Sequence, residues 1–215
     1  MAIAAGTSTH LEPAQEAPEQ AERGKADRRR DELADSALIT LGQLGYARTS
    51  LREIAANSEF SHGVVHYYFR DKTELITYCV RRYKTTCSKR YDSVVESAGT
   101  ADELAEGFVA RMTGTLREET AMHRLWYDLR GQSLFEPGLR EDVRAIDDLL
   151  EAMTWRVLAR YAELSGTAVL VDPPTAYGLL DGLFEQAVVA ASDDVESAAG
   201  RLAERVTAVL PRVLG

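Results

Sequence analysis

Apolar residues recur at spacings of three and four along nearly the whole chain, and no run alternates as a strand would. Leu33, Ala37 and Leu41, flanked by Ala34 and Leu38, predict a first helix with one apolar stripe. Gly42 loosens its end, and Gly45 stands where a helix C-cap is expected. Ser50-Leu51-Arg52-Glu53 has the spacing of a capping box, in which Ser50 and Glu53 satisfy each other's orphan amides. The short helix it opens turns Leu51, Ile54 and Ala55 inward and breaks at Asn57-Ser58-Glu59. Ser61 caps another short helix, with Val65 and Phe69 as its buried pair.

From Asp71, the positions Ile76, Val80, Tyr83, Cys87, Tyr91 and Val94 predict a fourth helix of roughly 25 residues, ~38 Å at 1.5 Å per residue. Such a strut would join the first three helices to a larger body. Leu104, Phe108, Met112 and Leu116 predict a fifth helix. Met122, Leu125, Trp126 and Leu129 predict a sixth, ended near Gly131 and Pro137. Val143, Ile146, Leu150, Met153, Val157 and Tyr161 form a long seventh. Pro173 and Pro174 suit the first turn of an eighth that reaches about Ala191. Val195, Ala199, Leu202, Val206, Val209 and Val213 make a ninth. The expected fold is all-α, with about nine helices.

The eighth helix carries two apolar stripes, Tyr177, Leu180, Phe184 and Val188 on one side and Leu179, Leu183, Ala187 and Ala190 on the other. Two apolar faces need two partners. The ninth spaces its apolar residues as a bundle seam does, so Leu179, Leu183, Ala187, Leu202, Val206 and Val209 are candidates for a four-helix homodimer interface. The competing reading covers both faces with the chain's own core.

Composition narrows the function. The 215 residues are 45% apolar, enough for a core, and carry a net charge of −9, which argues against coating nucleic acid over the whole surface. The charge is uneven, however: residues 23–90 hold 14 Lys/Arg against 8 Asp/Glu, and the remainder is acidic. A basic head on an acidic body is the pattern of a small DNA-binding module. No apolar run is long enough to span a membrane. The N-terminal stretch lacks a secretory signal, so a cytoplasmic location is expected. Two cysteines, Cys79 and Cys87, make neither a disulfide framework nor a metal cluster, and core packing is expected of them rather than redox sensing. Residues 1–24 read as a disordered leader, 25–71 as the head, and 72–215 as the body.

Between Ser50 and Lys72 lie a capped short helix, a tight turn and a second short helix, preceded by a helix able to cover both. This is a helix-turn-helix, whose second short helix would enter the major groove. His62, Val64, His66 and Tyr67 project opposite Val65 and Phe69, offering donors and an apolar contact to base edges, and Gly63 permits close approach. Ser50, Arg52, Ser61, Tyr68 and Lys72 flank them with groups suited to phosphate oxygens. His62 and His66 are also spaced for a metal, but Gly63 replaces the glutamate a zincin would need and no third ligand is evident, so no metal is expected.

Gly45-Tyr46, Thr49-Ser50-Leu51-Arg52-Glu53-Ile54-Ala55, Ser61-His62-Gly63 and Tyr67-Tyr68-Phe69-Arg70-Asp71-Lys72 resemble the N-terminal motif of the TetR family of transcriptional regulators. His66 stands where tyrosine is common and His62 where lysine is frequent. The resemblance implies a homodimeric repressor on a pseudo-palindromic operator, released when a small molecule enters the body and moves the fourth helix. The stretch from Trp126 to Val143 also resembles the family's choline-sensing branch.

For the body, the candidate ligand-lining residues are Tyr78, Phe108, Met112, Met122, Trp126, Tyr127, Trp155, Tyr177 and Phe184, which imply a partly apolar or aromatic effector. Arg130 and His123 could orient a polar end. No phosphate-cradling loop or nucleophile elbow is present, so neither an enzyme nor a cofactor is expected. The alternative is a helical ligand- or protein-binding module of the same fold without operator binding.

Overall fold

The computed structural model describes residues 16–215, with side chains from Gly24 onward; most of the expected leader lies outside them. The described residues form nine α-helices and two short 3₁₀ turns, with no strand beyond an isolated bridge between Val169 and Leu214. The helices are α1 (Glu16–Arg48), α2 (Leu51–Ala56), α3 (His62–Tyr68), α4 (Lys72–Cys87), α5 (Asp92–Ser97), α6 (Ala101–Gln132), α7 (Arg140–Ser165), α8 (Pro173–Ala190) and α9 (Val195–Val209). Residues 16–24, expected in the leader, already belong to α1. Among the described residues no helix is long and apolar enough to cross a membrane.

Two expected boundaries move. The fourth helix stops at Cys87, about 24 Å long rather than ~38 Å. Past it the chain tightens into i→i−3 turns, from Lys89 N–H to Thr86 O and from Arg90 N–H to Cys87 O. Arg156 of α7 holds the break open by donating to the Ser88 carbonyl at 2.6 Å and to Asp92 at 2.9 Å, so Tyr91 and Val94 fall outside α4. The expected fifth and sixth helices are one element, α6, kinked at Glu119 (φ −130°, ψ 24°). The kink is fastened from the side, because the Glu119 carboxylate accepts two bonds from Arg90 and one from the Tyr83 hydroxyl. The tally of nine survives because a split offsets a merger.

One apolar cluster runs from the head into the body. Leu33, Ala37, Leu41, Ile54, Val65 and Phe69 join Leu75, Ile76 and Val80 of α4, and with them Leu125, Trp126 and Leu129 of α6 and Val143 and Ile146 of α7. A second cluster fills the far end between α6, α7, α8 and α9. The expected boundary at Asp71 therefore marks the base of the recognition element and not a gap in packing.

Candidate functional site

The helix-turn-helix is built by local rules. The Ser50 hydroxyl accepts the Glu53 N–H at 3.2 Å and starts α2. The reciprocal bond expected from Glu53 is not among those formed; a complete capping box opens α6 instead, between Thr100 and Glu103. Ser61 accepts the Val64 N–H at 3.4 Å and starts α3, and Asp71 accepts the Glu74 N–H at 2.8 Å and starts α4. Val65 and Phe69 are fully buried, so α3 has one orientation.

That orientation leaves Ser61, His62, Gly63, His66 and Tyr67 on the outside, with Tyr67 81% exposed. His62 and His66 stack edge to face at 4.4 Å, and Tyr67 and Tyr68 do so at 5.0 Å. Ser50 and Arg52 of the α2 start are exposed nearby. Val64 and Tyr68 are half-buried and pack against the head core, so each offers an edge rather than a whole side chain. Lys72 is half-buried as well: its ammonium donates to the Tyr46 carbonyl at 3.1 Å and lies 4.2 Å from the Tyr46 ring centroid. No group of three His, Cys, Asp or Glu among the described residues is placed to hold a metal.

Periodicity missed part of this face. Grooves beside α3 are lined by Lys25, Arg28 and Arg29 of α1 together with Tyr67 and Tyr68. The run Arg28-Arg29-Arg30 was the available signal, and the three side chains have different surroundings. Arg30 is sandwiched over Phe69 and Tyr78 and paired with Glu74 at 2.9 Å, while Arg29 pairs with Glu32 at 2.7 Å. Lys25 and Arg28 stand exposed at the edge of the groove.

Head and body meet at Tyr46. Its N–H donates to Asp128 of α6 at 2.7 Å and its hydroxyl to Glu136 at 2.5 Å, while Lys72 of α4 holds its carbonyl. The preceding Gly45 has φ +74°, a conformation L side chains rarely adopt, and a Cβ there would lie 2.9 Å from the Asp128 carboxylate.

A cavity of about 70 Å³ lies in the body between α4, α6, α7 and α8. Of the residues expected to line it, Phe108, Met112, Tyr127, Tyr177 and Phe184 do so. Trp126 is fully buried in the cluster linking head and body, Met122 packs against the same cluster, Tyr78 bonds Asp31 at 2.6 Å beside α1, and Trp155 packs against the distal cluster. These four lie away from the lining because α4, α6 and α7 turn them toward other neighbours. The cavity wall also contains His123, expected to orient a polar end, and polar groups that sequence periodicity reads as surface: Lys84, Arg90 and Asp181. The Arg90 guanidinium pairs with Glu119 at 2.8 Å and donates to Thr115 at 2.6 Å. The Asp181 carboxylate pairs with Arg130 and accepts the Tyr127 hydroxyl at 3.0 Å. Arg130 thus braces the wall from behind, also reaching Asp147 at 3.5 Å, whose other partner is the Tyr177 hydroxyl at 2.8 Å.

Both cysteines are buried and free, and burial raises both thiol pKa values, which keeps them protonated.

Of the expected dimer residues, Ala187, Leu202 and Val206 are buried in the chain's own distal core, where α8 packs on α9. Leu179, Leu183 and Val209 retain exposed surface, and the outer side of α8 adds the exposed Val189. A Cβ at Gly178 or Gly182 would meet open space.

Residues 33–79 match the family model for bacterial regulatory proteins of the tetR family. The matched segment, which holds α2, α3 and parts of α1 and α4, is similar to the N-terminal region of the TetR family of transcriptional regulators. It is 28% identical over 173 residues to the HTH-type transcriptional regulator BetI of Paraburkholderia xenovorans, an alignment spanning 74% of this chain and 86% of that relative. Among solved structures it is similar to a TetR-family regulator of Agrobacterium tumefaciens (TM-score 0.70, 16% identity, 88% of this chain and 100% of that one). It is also similar to FadR of Bacillus subtilis in complex with stearoyl-CoA (TM-score 0.68, 18% identity, 83% and 95%). The TetR-family regulators are DNA-binding transcriptional regulators and not enzymes.

Proposed function

We propose that this chain is a homodimeric, cytoplasmic repressor of the TetR family that binds a pseudo-palindromic operator and is released by a small molecule bound in the body cavity. The observation that carries the DNA-binding part is α3 itself, clamped from inside by Val65 and Phe69 and bare outside at His62, His66 and Tyr67. In this reading residues 25–71 are the head and 72–215 the body. His62, His66, Tyr67 and the edge of Val64 face base edges, with Gly63 allowing close approach. Ser50, Arg52, Ser61, Tyr68 and Lys72 face phosphates, joined by Lys25 and Arg28. The outer side of α8, around Leu179, Leu183 and Val189, carries the dimer contact, and Val209 lies at its margin.

The release mechanism follows from which helices wall the cavity. Helix α4 carries Lys84 and Cys87 at the cavity and Lys72 on Tyr46, while α6 carries Tyr127 at the cavity and Asp128 on Tyr46. A cavity of about 70 Å³ holds a few waters or a small polar group but no whole ring, so a larger ligand must part its walls. A ligand that binds the parted form more tightly shifts the heads away from the spacing that fits two half-sites, and bound DNA weakens the ligand by the same factor. The stearoyl-CoA complex of the similarly folded FadR supports a small-molecule role for this body.

Fluorescence anisotropy with the chain's own upstream DNA tests the proposal. Binding should weaken steeply as salt rises, because phosphate contacts release counterions. A helical binding module without operator recognition gives no duplex affinity at any salt concentration.

A further inference from the structure

We propose that the body cavity recognises an anionic ligand, a carboxylate on an apolar or aromatic body, through the ammonium group of Lys84. The inference rests on the effector reading above and deepens it by assigning the ligand's charge.

Lys84 is buried on the inner face of α4, in a wall that joins the apolar Tyr91, Phe108, Met112 and Phe184 to the polar Arg90, His123 and Asp181. A buried ammonium is costly unless it is paired. Among the described residues no carboxylate lies within ion-pair distance of it, and the two that act on it from further away are engaged elsewhere. Asp181 gives one oxygen to Tyr127 and the other to Arg130; Glu119 gives its oxygens to Arg90 and Tyr83. The Cys87 thiol, one turn away, is held protonated by burial. What remains for Lys84 is Nδ1 of His123 at 3.4 Å and the Trp126 ring, 5.3 Å away.

His123 sharpens the argument. Burial, followed by the charges of Lys84 and Arg90, holds its pKa well below the usual histidine value, so the ring is neutral. A neutral imidazole accepting from Lys84 at Nδ1 carries its proton on Nε2, and that nitrogen is buried without a partner. Two neighbouring residues that line one cavity therefore hold donors with no acceptor. A carboxylate supplies the missing acceptors in a charge-assisted geometry. The aromatic wall alone would suit a quaternary ammonium equally well, but the Lys84 charge repels one.

The test compares benzoate, benzyl alcohol and benzylammonium by calorimetric titration and thermal shift on the purified full-length protein without DNA. The three share a body and differ in head charge. Benzoate should bind at least about tenfold more tightly than benzyl alcohol, and benzylammonium should not bind. Lys84→Met should erase the benzoate preference and leave benzyl alcohol unchanged; that variant removes a buried charge, and the wild-type comparison stands without it. The proposal is overturned if benzylammonium binds more tightly than benzoate, if Lys84→Met keeps the preference, or if no carboxylate from acetate to octanoate binds at millimolar concentration. Benzoate that binds but fails to release DNA counts against the effector reading while supporting the charge assignment.

Discussion

The Asp128 carboxylate accepts the Tyr46 backbone N–H at 2.7 Å, tying the end of the covering helix α1 to the body helix α6. Tyr46 is buried, and its carbonyl and hydroxyl are held by Lys72 and Glu136, so three separate parts of the chain fix one residue at the base of the head. The cavity residue Tyr127 is the immediate neighbour of Asp128. The cavity wall and the base of the head are thus joined through α6 without any intervening loop.

Asp128→Ala should leave the Tyr46 N–H without its acceptor and cost about 1–3 kcal/mol of stability, the usual penalty for an orphaned buried donor. Urea unfolding measures it. Asp128→Asn, which keeps an acceptor oxygen, should recover most of the loss. An unchanged midpoint in Asp128→Ala means that water replaces the carboxylate and that this junction is not rigid.

Gly45→Ala should destabilise by about 1 kcal/mol or more, since it combines a left-handed φ with a close approach to Asp128. The double variant Gly45→Ala, Asp128→Ala should lose less than the sum of the single losses, because the clash disappears while the φ strain stays. Strict additivity in the double-mutant cycle contradicts the contact.

Tyr67→Ala should reduce operator affinity by about tenfold or more and leave the unfolding midpoint within ±0.5 kcal/mol of wild type, because the side chain touches little of its own protein. Loss of folding instead places Tyr67 in the core and reverses the face assignment.

Much of the head was legible because its signals are local. Ser50 and Ser61 cap helices a few residues away, and Val65 and Phe69 set one buried face within two turns. The end of α4 was not legible, since neither Gly nor Pro marks it; Arg156, distant in sequence, takes the Ser88 carbonyl and makes the break. The joining of α6 across Glu119 likewise depends on Arg90 and Tyr83. Aromatic cavity residues were partly legible as apolar stripes and His123 as a polar group among them, whereas Lys84 and Asp181 carry charges that usually mean solvent. Trp126 and Met122 had the right spacing for a cavity wall and the wrong rotation about α6.

Lys84 should make stability depend on alkaline pH in a definite direction. Burial lowers its pKa from 10.5 to about 8, against opposing effects of Cys87, Asp181 and Glu119 and reinforced by Arg90, with neutral His123 beside it. Between these values the unfolded chain binds more protons than the folded one, so this group's contribution to stability rises with pH. Below about pH 8 its full penalty is present. Lys84→Met should therefore be more stable than wild type at neutral pH, with the gap narrowing from about pH 8 to 10.5. The difference between the two proteins is the quantity to follow, because buried Cys79 and Cys87 titrate with the opposite sign. A gap that is flat or widens with pH contradicts a buried, unpaired ammonium.

Leu183→Glu should convert the proposed dimer to a monomer on analytical sizing while leaving helix content unchanged, since the side chain keeps exposed surface on α8. A variant that still sizes as a dimer removes α8 from the interface.

Genomic pull-down followed by footprinting tests the central claim most directly: that the outer face of α3 reads DNA in two copies related by symmetry. Wild-type protein should enrich a sequence with two inverted half-sites centred about one turn apart, ~34–36 Å, and Tyr67→Ala should lose that enrichment. No enriched sequence, or enrichment unaffected by Tyr67→Ala, would contradict it.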